Sequence, residues 1–275
     1  MSPLITAEQL HQLQQQQDVV ILDASIEFQI PSEGEKDKVN KIPNALRFDY
    51  DTVFCDPNSP LPHMMPSQER FNQLAQELGL NNDSLIVVYD NSGTLAAPRA
   101  WWMFRAMGHQ RIAVLNGGLP AWKEAGFATT LDYAKPSTIG NFSGDLDPNY
   151  FLTAHQVLAA IEDKHSLTVD ARSLARFNGE VAEPREGVRS GHIPNSACLP
   201  FAQLIKGYEL KPIEQLQPII DAVLNDRQSQ YIFSCGSGVT AAIVLLAAYL
   251  CGYRNLAVYD GSWTEWGQRV DLPIA

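Results

Sequence analysis

Cys235 is the residue of this chain best placed to do chemistry. It stands in YIFSCGSGVTAAIVLLAAYL (residues 231–250), where one apolar run stops, the loop CGSGVT intervenes and a second apolar run begins. A cysteine between a buried strand and a helix sits at the C-terminal edge of a parallel sheet, where open α/β sheets bind ligands. The helix that follows points its unpaired N–H groups and the positive end of its dipole back at the loop. Gly236 and Gly238 let those N–H groups converge, and the hydroxyls of Ser237 and Thr240 can add donors. Such a ring holds an anion, and a thiolate or persulfide on Cys235 is one. The same field makes the sulfur a nucleophile near neutral pH.

Two other readings of the loop stay open on the residues alone. It could be a tight turn around a buried thiol, or a cradle for phosphate. Cysteine phosphatases, however, close that cradle with an arginine in a C-x5-R loop. Here that place is taken by Ala241, and no arginine follows before Arg254, which argues against phosphoryl transfer.

The elements that must position the loop occur twice. LIVVYDNSGTLAAPRAWWMF (residues 85–104) repeats the segment without the cysteine: when Asp90 is set against Cys235, Ser92 meets Ser237 and Gly93 meets Gly238. VVILDAS (19–25) returns as LTVDARS (167–173), KIPNALRFD (41–49) as HIPNSACLPF (192–201), and IAVLNGGLPAW (112–122) as LAVYDGSWTEW (256–266). The blocks keep their order, so the chain is a tandem duplication, with units far longer than those of a solenoid. Short apolar runs at 86–89, 167–169, 231–234 and 256–259 read as strands. Helices are expected at 99–107, 201–206, 213–224 and 240–250. This alternation predicts an α/β fold, with a parallel sheet flanked by helices in each of two tandem domains. The expected divisions are 1–130 for the first domain, 131–150 for a Pro- and Gly-containing linker, and 151–275 for the second.

A chain of 275 residues with 45% hydrophobic and 19% charged residues is globular in composition and long enough for two cores. A net charge of −11 without clustered Lys or Arg excludes nucleic acid as a partner. The apolar run after Thr240 is shorter than the roughly 20 residues that a bilayer span needs, so no membrane is expected. The N-terminus has neither the basic region nor the apolar core of a signal peptide, which makes the cytoplasm the expected location. Cys55, Cys198, Cys235 and Cys251 form no CxxC pair and fit neither zinc nor a disulfide framework. No metal is expected. Cys251, on an apolar helix, reads as a buried thiol, and Cys55 and Cys198 receive no role.

The CGSGVT loop, the tandem repeat and the blocks HIPNS and YDGSWTEW together resemble the rhodanese superfamily, in particular its two-domain 3-mercaptopyruvate sulfurtransferases. The resemblance covers nearly the whole chain. It implies two rhodanese-like domains, with the first catalytically silent because Asp90 stands in place of the cysteine. Thiosulfate-preferring relatives carry a basic residue in a CRxGxT loop. Gly236 and Ser237 here match the mercaptopyruvate branch.

The resemblance also implies the rest of a site. Arg176 and Arg185, in RFNGEVAEPREG, match positions that bind the substrate carboxylate, and forked guanidinium donors suit that task. Gly236, Gly238, Val239 and Thr240 line the same site. Arg172 and Arg189 have weaker claims, and Arg99 reads as interdomain or structural. His63, in SPLPHMMP, with Asp51 and Ser237, matches an Asp–His–Ser arrangement that could protonate the departing enolate; alternatively His63 only shapes a wall. The expected reaction moves sulfur from 3-mercaptopyruvate to Cys235 as a persulfide and releases pyruvate. The sulfur then passes to thioredoxin, glutathione, another thiol or cyanide. No cofactor is implied, and the paired domains within one chain argue for a monomer. The alternatives are a thiosulfate:cyanide sulfurtransferase and a sulfur carrier or docking module charged by a partner.

Overall fold

A computed structural model describes residues 2–16, 18–31, 33–227 and 229–275. The chain divides into two compact units. The first comprises residues up to 58 with Met65–Asp147 and Lys206–Leu210; the second comprises Ser59–Met64, Pro148–Ile205 and Lys211–Ala275.

In the first unit the order is β1 (Leu4–Ile5), α1 (Ala7–Gln16), β2 (Val19–Asp23), β3 (Leu46–Arg47), α2 (Gln68–Glu77), β4 (Leu85–Tyr89), α3 (Ala97–Ala106), β5 (Ile112–Leu115) and α4 (Gly118–Glu124). Its sheet runs β1-β5-β4-β2-β3, with every pairing parallel. The second unit begins with β6 (Phe151–Leu152), α5 (Ala154–Ala160), β7 (Ser166–Asp170), α6 (Leu174–Phe177) and β8 (Ala197–Cys198). After a 3-10 turn at Phe201–Leu204, β9 (Ile205–Lys206) and β10 (Glu209–Leu210) pair as a separate ribbon, of which Lys206–Leu210 count with the first unit. Then come α7 (Ile213–Asp221), β11 (Gln230–Ser234), α8 (Thr240–Leu250), β12 (Leu256–Tyr259) and α9 (Ser262–Gln268). The sheet is β6-β12-β11-β7-β8, again parallel throughout. Strand for strand this is the order of the first sheet, as the repeat requires.

The central strands explain themselves. LIVVY of β4 is buried along its whole length, and YIFS of β11 is buried from Tyr231 onward. Continuous apolar runs without alternation belong to sheets covered on both faces. The helices that follow them, α3 and α8, are buried nearly all round, as a helix with apolar residues on every side must be. Neither has a side-chain N-cap: Ala96 and Val239 stand at those positions. α2, α5 and α6, by contrast, carry side-chain caps, for example the Thr153–Gln156 capping box of α5.

The structure modifies some sequence expectations. The helix expected at 201–206 is a 3-10 turn that straightens at Ile205 to pair in the ribbon. The helix expected to reach Leu224 ends at Asp221. The apolar period continues past it because Leu224 still points inward from the following turn, its N–H donating to the Ile220 carbonyl at 2.8 Å. Residues 131–147, within the expected linker, count with the first unit. They bond to the end of α2 and the turn after it: the N–H of Gly140 donates to the Gln76 carbonyl (2.8 Å), and that of Phe142 to the Leu80 carbonyl (3.0 Å). Gly140 is required there, because a Cβ would come within 1.9 Å of the Leu80 oxygen. Phe142 is fully packed, with its ring 5.9 Å from that of Phe71 and 5.8 Å from that of Phe104.

This strap should therefore contribute to stability. Phe142→Ala is expected to cost about 3–5 kcal/mol in urea unfolding, whereas Leu131→Ala, at an exposed position of the same stretch, should lie within about 0.5 kcal/mol of the parent. Equal midpoints for both variants would show a loose tether instead.

Candidate active site

Cys235 is the first residue beyond β11, and it is only 2% exposed. Its peptide group is fixed from both sides. Its N–H donates to the Ser262 hydroxyl (3.2 Å) and its carbonyl accepts from the Trp263 N–H (2.9 Å). The Ser262 hydroxyl in turn donates to the Tyr259 carbonyl at 2.9 Å. Ser262 does this from a left-handed conformation, with φ of 49°. Such backbone is costly for a residue with a side chain and persists where the surroundings demand it. The matching residue of the first unit is Gly118, also left-handed at φ 52°, where a Cβ would lie 2.2 Å from the Asp90 carbonyl oxygen. Gly238, at φ 79°, turns its N–H onto the Cys235 sulfur at 3.1 Å.

The first unit shows what this loop shape can hold. Both oxygens of Asp90 are surrounded by backbone donors. One accepts from the N–H groups of Gly93 (2.9 Å) and Ser92 (3.3 Å). The other accepts from Leu95 (3.0 Å), Ala96 (2.8 Å) and Ala97 (2.9 Å). Burial pushes the Asp90 carboxyl above its ordinary range, and the N–H groups of Ala97, Leu95, Ala96 and Ser92 pull it back. The carboxylate thus serves as the missing cap of α3. In the second unit the residues that match these donors are Ser237, Gly238, Thr240, Ala241 and Ala242. Counted outward from Cβ, the sulfur of Cys235 takes the place of the Asp90 carboxyl carbon, and a second sulfur bonded to it would take the place of a carboxylate oxygen.

Two arginines flank the loop by different means. Arg176, in α6, sits beside Gly236: a Cβ built there would lie 3.6 Å from Arg176 Nη2. Its Nε donates to Glu183 Oε1 at 3.1 Å, and its Nη2 makes a second, very short bond to Glu183 Oε2. Behind Glu183 stands Arg172, whose Nη1 lies 2.8 Å from Glu183 Oε1 and whose Nη2 lies 2.7 Å from Asp170 Oδ2. The Arg172 guanidinium also lies 4.3 Å from the centre of the Trp263 ring. Two carboxylates and two guanidinium groups balance in this buried row. Arg185, by contrast, makes no ion pair among the described residues. Its Nη1 donates to the Thr264 hydroxyl at 2.6 Å, and that hydroxyl donates to the Gly236 carbonyl at 2.6 Å.

The other sequence candidates fall as follows. Ser237 is buried and Thr240 half-buried, both at the loop. Val239 is buried at the head of α8. His63 is buried, has φ of 60°, and counts with the second unit. Asp51 counts with the first unit, where its N–H donates to Asp49 Oδ1 at 2.9 Å. Arg189 is structural, spending its donors on the carbonyls of Trp266, Gly267 and Leu272 around the end of α9. Arg99 is buried in α3 of the first unit. Sequence reasoning missed Glu183, Ser262 and Thr264, and gave Arg172 too little weight. A signal for Thr264 was present, since the repeat sets it against Pro120. Among the described residues no cluster fit for a metal ion is found, and no helix is long and apolar enough to cross a membrane.

These features define the chain as a member of the rhodanese family: residues 6–125 and 153–269 each match the rhodanese-like domain. It is 39% identical over 268 residues to the 3-mercaptopyruvate sulfurtransferase of Escherichia coli (strain K12), covering 94% of this chain and 92% of that protein. It is 37% identical over 297 residues to thiosulfate/3-mercaptopyruvate sulfurtransferase 1, mitochondrial, of Arabidopsis thaliana, covering 99% of this chain and 78% of that one. The crystal structure of SseA from Escherichia coli, a 3-mercaptopyruvate sulfurtransferase, superposes with a TM-score of 0.82 at 34% identity over 96% of this chain and 99% of the other.

The environments of the thiols differ in a way that can be measured. Burial, then the nearby Asp170 carboxylate, pushes Cys198 up to about 12. Burial and Asp221 push Cys251 up to about 11. Both should remain thiols at neutral pH. Limiting iodoacetamide at pH 7.5 is therefore expected to alkylate Cys235 ahead of Cys198 and Cys251, as read by peptide mass spectrometry. Equal labelling of all three would remove the case for a selectively activated loop cysteine.

Proposed function

We propose that this protein is a 3-mercaptopyruvate sulfurtransferase that works through a persulfide on Cys235, with residues 151–275 as the catalytic domain and the domain at 1–130 silent. The observation that carries the reading is the pair of matched loops. In one unit a carboxylate fills a ring of N–H donors; in the other a cysteine stands at the matching place, with the Gly238 N–H on its sulfur at 3.1 Å. A persulfide anion has the charge and the reach of the group it replaces.

In the first half-reaction the Cys235 thiolate attacks the sulfur of 3-mercaptopyruvate. An S–S bond forms, the bond between that sulfur and C3 breaks, and its electron pair leaves on C3 as the enolate of pyruvate. The proton carried by the donor sulfur goes to C3, so pyruvate departs and the outer sulfur stays as an anion. His63 and Ser237, with Asp51, are the candidates for relaying that proton. The N–H groups of Gly238 and of the first turn of α8 stabilise the negative charge, as an oxyanion hole does. Arg176 and Arg185 hold the donor carboxylate, while Gly236, Gly238, Val239 and Thr240 shape the wall around it. In the second half-reaction a thiol or cyanide takes the outer sulfur and returns the thiolate, which gives ping-pong kinetics. Thioredoxin and glutathione are suitable thiol acceptors. The protein is expected to act as a monomer in the cytoplasm.

A second donor is favoured by one fact, the Arabidopsis relative's name, which joins thiosulfate to mercaptopyruvate. Gly236 leaves the loop without the positive charge that a sulfonate dianion would use, and this supports mercaptopyruvate as the preferred donor.

The test is sulfur transfer to cyanide with each donor in turn. The parent enzyme should favour mercaptopyruvate in kcat/KM, and Cys235→Ser should be inactive with both donors, because a hydroxyl cannot carry sulfane sulfur. Arg185→Ala should raise KM for mercaptopyruvate about 10–100-fold, the scale of a lost charged hydrogen bond. A preference for thiosulfate would keep the persulfide and refute the donor assignment. Absence of turnover with either donor, alongside acceptance of sulfur from a partner enzyme, would make the protein a carrier.

A further inference from the structure

We propose that Thr264 is a positioning residue that aims Arg185 at the donor site by clamping it to the cysteine loop. The proposal rests on the reading of Arg185 as a carboxylate-binding residue. The Thr264 side chain is buried, and its hydroxyl is engaged on both sides. It donates to the Gly236 carbonyl at 2.6 Å and accepts from Arg185 Nη1 at 2.6 Å. The Thr264 N–H also donates to the Gly236 carbonyl, at 2.9 Å. One residue therefore joins the loop next to Cys235 to the guanidinium that lies across it.

Arg185 needs such an anchor. It is largely exposed and lies in a stretch, 178–196, without helix or strand. Arg176 is held by the buried Glu183; among the described residues Arg185 is held by the Thr264 hydroxyl alone. The difference has a chemical use. A carboxylate partner would spend the guanidinium charge before substrate arrives, whereas a neutral acceptor fixes one arm and leaves the charge for the donor carboxylate.

The silent unit supplies an internal control. The bridge from the helix after the last strand to the loop exists in both units: the Leu119 N–H reaches the Asp90 carbonyl at 2.9 Å, just as the Trp263 N–H reaches that of Cys235 at 2.9 Å. The next residue is Pro120 in the silent unit and Thr264 in the other. Proline has neither an N–H nor a hydroxyl, so both bonds to the position of Gly236 are lost where no cysteine is served.

Thr264→Val keeps the shape and the N–H bond but removes the hydroxyl; Thr264→Ser restores it. Mercaptopyruvate and thiosulfate kinetics would be measured for both, for Arg185→Ala and for the Thr264→Val/Arg185→Ala double variant. The accessibility of Arg185 would be followed separately by its rate of modification by phenylglyoxal, read by mass spectrometry. Thr264→Val is expected to raise KM for mercaptopyruvate about tenfold with much less change in kcat, and to speed modification of Arg185. Thr264→Ser should behave as the parent. The double variant should be no worse than Arg185→Ala alone. Unchanged modification in Thr264→Val, or failure of serine to restore KM, overturns the proposal. If Arg185→Ala leaves KM unmoved while Thr264→Val still frees Arg185, the clamp stands and the assignment of Arg185 to the carboxylate falls.

Discussion

A helix that begins at the edge of a parallel sheet leaves N–H groups that need an acceptor and favour a negative one. Much of the second unit serves this demand. The loop bends through Gly238, whose N–H meets the Cys235 sulfur at 3.1 Å. It is pinned by Ser262, Trp263 and Thr264. Behind it, α8 is buried along most of its length. The two units solve the demand with different chemistry. A carboxylate fills the ring in the first unit and cannot leave, whereas a sulfur at the matching place in the second can carry a second sulfur and give it up.

The row Asp170–Arg172–Glu183–Arg176 has a different logic. Burying four charges is costly, and an apolar replacement of the same shape could be as stable. What the row provides is direction. Arg172 is held by Asp170, by the Gly191 carbonyl and by the Trp263 ring, so it has one orientation. Glu183 inherits that orientation, and Arg176 inherits it from Glu183. A partly buried arginine on a four-residue helix is thereby held next to the loop.

The sequence carried the architecture because duplication and burial are repetitive. The apolar runs of β4 and β11 and the doubled loop recur at matching places, and the sheet order follows. Cys235 was legible because a thiol among glycines at a strand end has few uses. The supports were not legible in the same way. Glu183 meets Arg172 and Arg176 through a coil that has no period, and Thr264 acts through a backbone carbonyl 28 residues away. The strap at 131–147 bonds mainly by backbone and side-chain amides to α2, which leaves no apolar pattern to read. Segment 59–64, with His63, counts with the second unit although its neighbours on both sides count with the first. No local composition marks such an exchange.

The first unit also bears on how freely a duplicated protein can change its mind. Its loop is filled by more than Asp90. Ser92 bonds to the buried Glu33, which pairs with Lys36 at 3.2 Å. The Thr94 N–H is taken by the Tyr208 carbonyl at 2.9 Å, and that same oxygen would lie 2.6 Å from any Cβ at Gly93. Pro120 has removed the donor that steadies the loop in the other copy. A cysteine at position 90 would meet a space already furnished for something else. Restoring a cysteine loop there would thus take more than one reversion: several independent commitments would have to be undone together, so the divergence of the two copies behaves as a ratchet.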